Sequence, residues 1–89
     1  MADTEQKTKI LHVQARAPFE VYYQGDAYSI TGANKVGKFD ILPGHSDFFT
    51  IINPDSEVVI QTDTEDITIQ VANGIITVKD DEVLLFLNI

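Results

Sequence analysis

The 89 residues include no cysteine and no tryptophan. Without thiols the chain can build neither a disulfide framework nor a thiolate metal site, and it fits a reducing compartment. Basic residues are scarce: Lys and Arg number 6 against 14 Asp and Glu, for a net charge of −8. The imbalance is concentrated late in the chain. There Asp55, Glu57, Asp63, Glu65, Asp66, Asp80, Asp81 and Glu82 are set against the single base Lys79. Such a surface repels phosphate backbones and anionic head groups, which argues against nucleic acid and direct membrane insertion. It serves solubility, or it meets a basic partner. No apolar run approaches the roughly 20 residues that span a bilayer. The opening Met1–Lys9 is polar and of mixed charge, unlike a signal peptide.

Reactive constellations are missing as well. His12 and His45 share no helix turn with a carboxylate or with each other, so no local set of zinc ligands forms. His12 sits between Leu11 and Val13 and is expected to point to solvent. His45 follows Pro43-Gly44 and is placed either to tie that loop through backbone groups or to touch a partner. The five glycines make no phosphate-cradling loop. Asp80-Asp81-Glu82 lacks the alternate oxygen ligands and central glycine of a calcium loop and reads as a solvated turn. Ser29, Ser46 and Ser56 show no partner His and acid. No catalytic residue, cofactor or metal is expected.

What the chain does contain is period-two patterning. Ile67, Ile69 and Val71 alternate with Thr68 and Gln70, Ile76 and Val78 flank Thr77, and Tyr28 and Ile30 flank Ser29. Alternation of this kind sends one face of each strand into a core and the other to water. The best helical candidate, Asp47 to Ile52, is too short and too rich in β-formers. Turn chemistry falls at Gly25-Asp26, Gly32 to Lys35, Pro43-Gly44, Asn53 to Ser56, Asp63 to Asp66, Asn73-Gly74 and Asp80 to Glu82. Strands are expected near 9–16, 19–24, 27–31, 36–42, 47–52, 57–62, 66–72, 75–79 and 82–88. Asn73-Gly74 and Asp80-Asp81 read as hairpin turns joining the last three strands in a meander. Tyr22 and Tyr23 should face opposite ways. Val83 to Leu87 is apolar on both faces, so its outer side needs a cover, either a partner or the chain's own tail. Residues 1–8 are expected to fray, leaving 9–89 as a single domain. These features predict an all-β fold: a flattened two-sheet antiparallel sandwich of about nine or ten short strands.

The stretch Gly37-Lys38-Phe39-Asp40-Ile41-Leu42-Pro43-Gly44-His45 carries a resemblance. Phe48-Phe49-Thr50 follows it, Asn73 to Val78 lies further on, and Pro18 to Gly25 and Ser29 to Gly32 precede it. In this order and spacing the chain resembles the N-terminal β-sandwich domain of the epsilon subunit of F-type ATP synthases. The resemblance implies a non-catalytic rotor subunit of the central stalk that contacts the gamma subunit and the membrane rotor ring. There it would couple ion flow to ATP synthesis from the cytoplasmic side, peripheral to the energy-coupling membrane. It implies a partner interface at Gly32, Asn34, Lys35, Gly37 and Lys38, facing the ring, and at Pro43, Gly44 and His45 in the foot region. Phe48 and Phe49 would add apolar contact. The family usually places a glutamate where this chain has Lys38 and a glycine where it has Asp40, which weakens the ring contact, and the Gly32 loop is longer than usual. Many relatives continue into a C-terminal helical hairpin, and without it no nucleotide binding is expected. The alternative is a free-standing β-sandwich protein-binding module diverged from the epsilon subunit.

Overall fold

A computed structural model describes residues 10–88. The N-terminal segment expected to fray lies outside them. Nine strands form: β1 (Leu11–Ala17), β2 (Glu20–Ala27), β3 (Ser29–Asn34), β4 (Gly37–Ile41), β5 (Phe48–Ile52), β6 (Ser56–Gln61), β7 (Asp66–Val71), β8 (Asn73–Lys79) and β9 (Glu82–Asn88). They make a five-stranded sheet ordered β2-β1-β9-β8-β5 and a four-stranded sheet ordered β4-β3-β6-β7. The sandwich predicted from the alternation is present. Its pairing is antiparallel throughout except at β1 and β9, which run parallel from His12↔Glu82 to Arg16↔Phe86.

The core follows directly from period two. On the larger sheet Leu11, Val13, Ala15, Ala27, Ile52, Ile76, Val78, Val83, Leu85 and Leu87 point inward; Ile30, Ile41, Val58, Ile60, Ile69 and Val71 meet them from the smaller one. Every one is aliphatic, and no buried polar or charged side chain stands among the described residues. Cohesion therefore comes from apolar burial and shape, about 1.5–3 kcal/mol for each large side chain before entropy is subtracted.

Four readings of the sequence need correction. β2 runs through Gly25-Asp26 rather than turning there. The Tyr23 ring lies over Gly25, whose missing Cβ would come within 3.1 Å of the phenol oxygen. A bulge at Ala15/Arg16 shifts the register from Tyr23 to Val21, so Tyr22 and Tyr23 both pack partly against the core instead of alternating. Asn73-Gly74 is not a hairpin. β7 and β8 belong to different sheets and the chain crosses between them at Ala72, whose N–H donates to Asn88 and whose carbonyl accepts from Asp55. Lastly, the Gly32–Lys38 loop is mostly strand: β3 and β4 pair from Ile30↔Ile41 to Asn34↔Gly37, leaving only Lys35-Val36 as the turn. The Asp80-Asp81 hairpin is as expected, with φ of 51° and 63° and Lys79 paired to Glu82. Two left-handed residues are what a twisted two-residue hairpin requires.

Gly74 is fixed by crowding. A Cβ there would stand 2.7 Å from the Phe86 carbonyl oxygen, a backbone atom of the neighbouring strand that cannot swing aside. Gly74→Ala is therefore expected to lower stability by about 1–3 kcal/mol, read as a lower urea midpoint with an unchanged slope.

Candidate functional site

The expected site residues do not form one cluster. β4 separates them, with Lys35-Val36 at its start and Leu42 to His45 beyond its end. Five strand residues set the two groups roughly 16 Å apart.

At the first group Asn34 is spent on structure. Its side-chain oxygen accepts from the N–H groups of Val36 at 2.9 Å and Gly37 at 3.2 Å, an arrangement that builds the turn. Its amide donates to Thr50 Oγ1 at 3.0 Å, and its carbonyl accepts from Asn53 Nδ2 at 3.0 Å. The turn is thus bolted to β5. Gly32 is buried beneath the Phe39 ring, while Lys35, Val36, Gly37 and Lys38 are exposed. Beside them lies a groove of about 460 Å³ lined by Asn34, Lys35, Val36 and residues 49–54.

At the second group the Leu42 carbonyl accepts from the His45 N–H at 3.0 Å, closing a turn whose Gly44 has φ of 86°. His45 Nδ1 donates to the Ser46 carbonyl at 2.8 Å, which fixes the proton on that nitrogen. The imidazole packs edge-on against Phe48 with centroids 5.4 Å apart, and Phe48 packs the same way on Phe39. The anchoring expected of His45 is what the geometry provides. The Gly44 N–H donates to Asp81 Oδ1 at 2.7 Å, and the Asp81 carbonyl accepts from the His12 N–H at 2.8 Å.

Phe48 and Phe49 divide by parity. Phe48 turns inward and is half-buried; Phe49 turns outward and is 64% exposed. Phe49 belongs to a surface the candidate set largely missed, the outer face of the five-stranded sheet. Register aligns Val21, Arg16, Phe86, Ile75 and Ile51 in one row across all five strands. The next row is Gln24, Gln14, Leu84, Thr77 and Phe49, and a third brings Asp26, His12 and Glu82 together. The face grades from charged to apolar along the strands. The apolar run on both sides of β9 was the one signal of it in the sequence; Val21 and Ile51 join only through pairing.

The charged end carries both signs, since Lys79 pairs with Glu82 in the same row. His12 Nδ1 meets Asp26 at 3.0 Å in an exposed pair, worth at most about 1 kcal/mol. Partial burial, and then the carboxylates of Asp26, Asp63 and Glu65, push the Tyr23 phenol above its ordinary 10.0. Its hydroxyl donates to the Asp26 carbonyl at 2.5 Å.

The family model for the ATP synthase delta/epsilon chain β-sandwich domain matches residues 10–88. The ATP synthase epsilon chain of Vesicomyosocius okutanii is 32% identical over 76 residues, 85% of this chain and 54% of the relative. That of Bordetella parapertussis is 30% identical over 73 residues, 82% of this chain and 52% of the relative. The chain thus spans about half the length of these relatives. Among solved structures, a chain of the Euglena gracilis mitochondrial ATP synthase (OSCP/F1/c-ring) superposes with a TM-score of 0.81 at 16% identity, covering 89% of this chain and 51% of that one. A chain of the Tetrahymena thermophila mitochondrial ATP synthase central stalk and c-ring gives 0.72 at 15%, covering 86% and 62%. At such identities the structures speak to the fold alone.

Two outcomes follow from the geometry. Asn34→Ala releases two turn amides to water and is expected to cost about 0.5–1.5 kcal/mol in urea unfolding, with faster amide exchange at Val36 and Gly37. The folded state holds the Tyr23 proton more tightly than the unfolded chain does. The associated stability is intact below pH 10 and lost as pH rises through Tyr23's raised value. Tyr23→Phe should therefore flatten the alkaline decline of the thermal midpoint.

Proposed function

The chain belongs to the ATP synthase delta/epsilon β-sandwich family, and from that membership we propose that it is a non-catalytic rotor subunit of the central stalk. It works by holding the gamma subunit and resting on the rotor ring, so that ion flow and ATP synthesis stay mechanically coupled. It is thereby peripheral to the energy-coupling membrane through the complex.

One observation carries the reading, the apolar outer face of the larger sheet. Phe49 and Ile51 on the edge strand are 64% and 65% exposed, and Leu84 and Phe86 in the middle of the sheet are 36% and 46% exposed. Contiguous apolar surface on a strongly acidic protein is a place for a protein partner. Its position on a paired sheet gives it stiffness, which a torque-bearing contact needs. The gamma subunit is assigned to this face and, from the resemblance of Pro43, Gly44 and His45 to the family's foot motif, to the loop after β4. The ring is assigned to the end that carries Lys35, Val36 and Lys38, where a base in place of the family's usual glutamate makes the contact weaker.

Co-purification with the gamma subunit of the same organism tests this. The unaltered chain should hold gamma. Ile51→Asp should lose it by tenfold or more, since an apolar side chain buried on binding is worth about 1.5–3 kcal/mol. Because Ile51 faces solvent, that variant should keep its fold by circular dichroism. A well-folded chain that fails to hold gamma would displace the stalk reading in favour of the free-standing binding module.

A further inference from the structure

The loop after β4 and the turn between β8 and β9 meet at a single side chain. We propose that Asp81 is the positioning residue of the Pro43–His45 loop: its carboxylate fixes the Gly44 amide and so sets the attitude at which His45 is presented to a partner. The functional half of this rests on the stalk reading above.

Bonds inside the loop settle only its own shape. The His45 N–H reaches back to Leu42 and the His45 ring reaches on to Ser46, contacts that would travel with the loop wherever it swung. Two anchors tie it to the sandwich: the His45 ring against Phe48, and the Gly44 N–H held by Asp81 across 37 residues of sequence. The second is a charge-assisted bond of 2.7 Å, among the stronger kinds in proteins.

Asp81 is itself held still. It occupies the second position of a two-residue turn with φ of 63°, and its carbonyl takes the His12 N–H of β1. Its backbone is therefore set by β8, β9 and β1 together. Glycine would suit that left-handed position better than aspartate does; what the acid adds is the acceptor. Of the three successive acids Asp80, Asp81 and Glu82, only Asp81 makes a side-chain hydrogen bond among the described residues, and it is half-buried where its two neighbours are exposed.

The test pairs amide hydrogen exchange at Gly44, read by NMR, with affinity for gamma. Asp81→Gly keeps the turn's backbone and removes the acceptor; Asp81→Asn keeps both the turn and an oxygen. In Asp81→Gly, Gly44 exchange should quicken about tenfold or more while the amides of β8 and β9 hold, and gamma affinity should fall about fivefold. Asp81→Asn should restore most of both, a rescue that a general loss of stability would not show. Unchanged Gly44 exchange in Asp81→Gly overturns the proposal. Faster exchange with undiminished affinity overturns the presenting role and leaves the stalk reading in place. If the unaltered chain does not bind gamma the stalk reading falls, and Gly44 exchange alone decides whether Asp81 fixes the loop.

Discussion

The larger sheet depends on the parallel pairing of β1 with β9. Remove it and the five strands fall into two pieces, β2-β1 and β9-β8-β5. This one ladder joins the first described strand to the last and seats β9 in the centre of the sheet. There Val83, Leu85 and Leu87 reach the core while Leu84 and Phe86 occupy the middle of the opposite face. It also brings the β8–β9 turn to the start of β1, where the Asp81 carbonyl receives the His12 amide. Contacts of such sequence separation slow folding, because loop closure precedes any gain from them.

The two outer faces differ in character. On the smaller sheet the outward side chains satisfy one another: Thr31 donates to Asp40, Gln70 to Glu57, and Ser29 to Gln61. Such a face is at home in water. The larger sheet has its apolar rows instead. With the core wholly aliphatic, no polar group inside favours one sheet over the other; the division arises from the residues turned away from the core. The sandwich is sided, with one outer face apolar and the other hydrogen-bonded within itself.

Strand number, strand spacing and core membership were legible in the sequence because alternation is a local property. Ile69 and Val71, or Ile76 and Val78, declare their faces within a few residues. Sheet membership did not declare itself. Nothing near Asn73-Gly74 says that β7 and β8 part company, since that is decided by what each pairs with far away: β6 for one, β9 and β5 for the other. The Gly32–Lys38 segment looked like loop because glycine and lysine are poor strand formers, yet the pairing of Gly32 with Phe39 and of Ala33 with Lys38 overrode propensity. The apolar outer face was half legible. The doubly apolar β9 signalled it, but Val21 and Ile51 are 30 residues apart in sequence and share a row only across the finished sheet. Asp81 looked like one more acid in a solvated turn because its partner, Gly44, is remote.

That Asn73-Gly74 is strand rather than turn bears on how the protein ages. An asparagine followed by glycine is the dipeptide most prone to deamidate, because the glycine nitrogen can fold back onto the side-chain amide and close a succinimide ring. Here Gly74 lies opposite Leu87 in the ladder, and the Asn73 side-chain oxygen accepts from Asn88 Nδ2 at 2.7 Å. Extended backbone and an occupied side chain both oppose ring closure. The chain's one Asn-Gly pair is thus chemically sheltered while the sheet is intact and vulnerable once β8 and β9 separate. Because Asn73 pairs with Asn88 at the open end of that ladder, fraying there is enough to lift the protection.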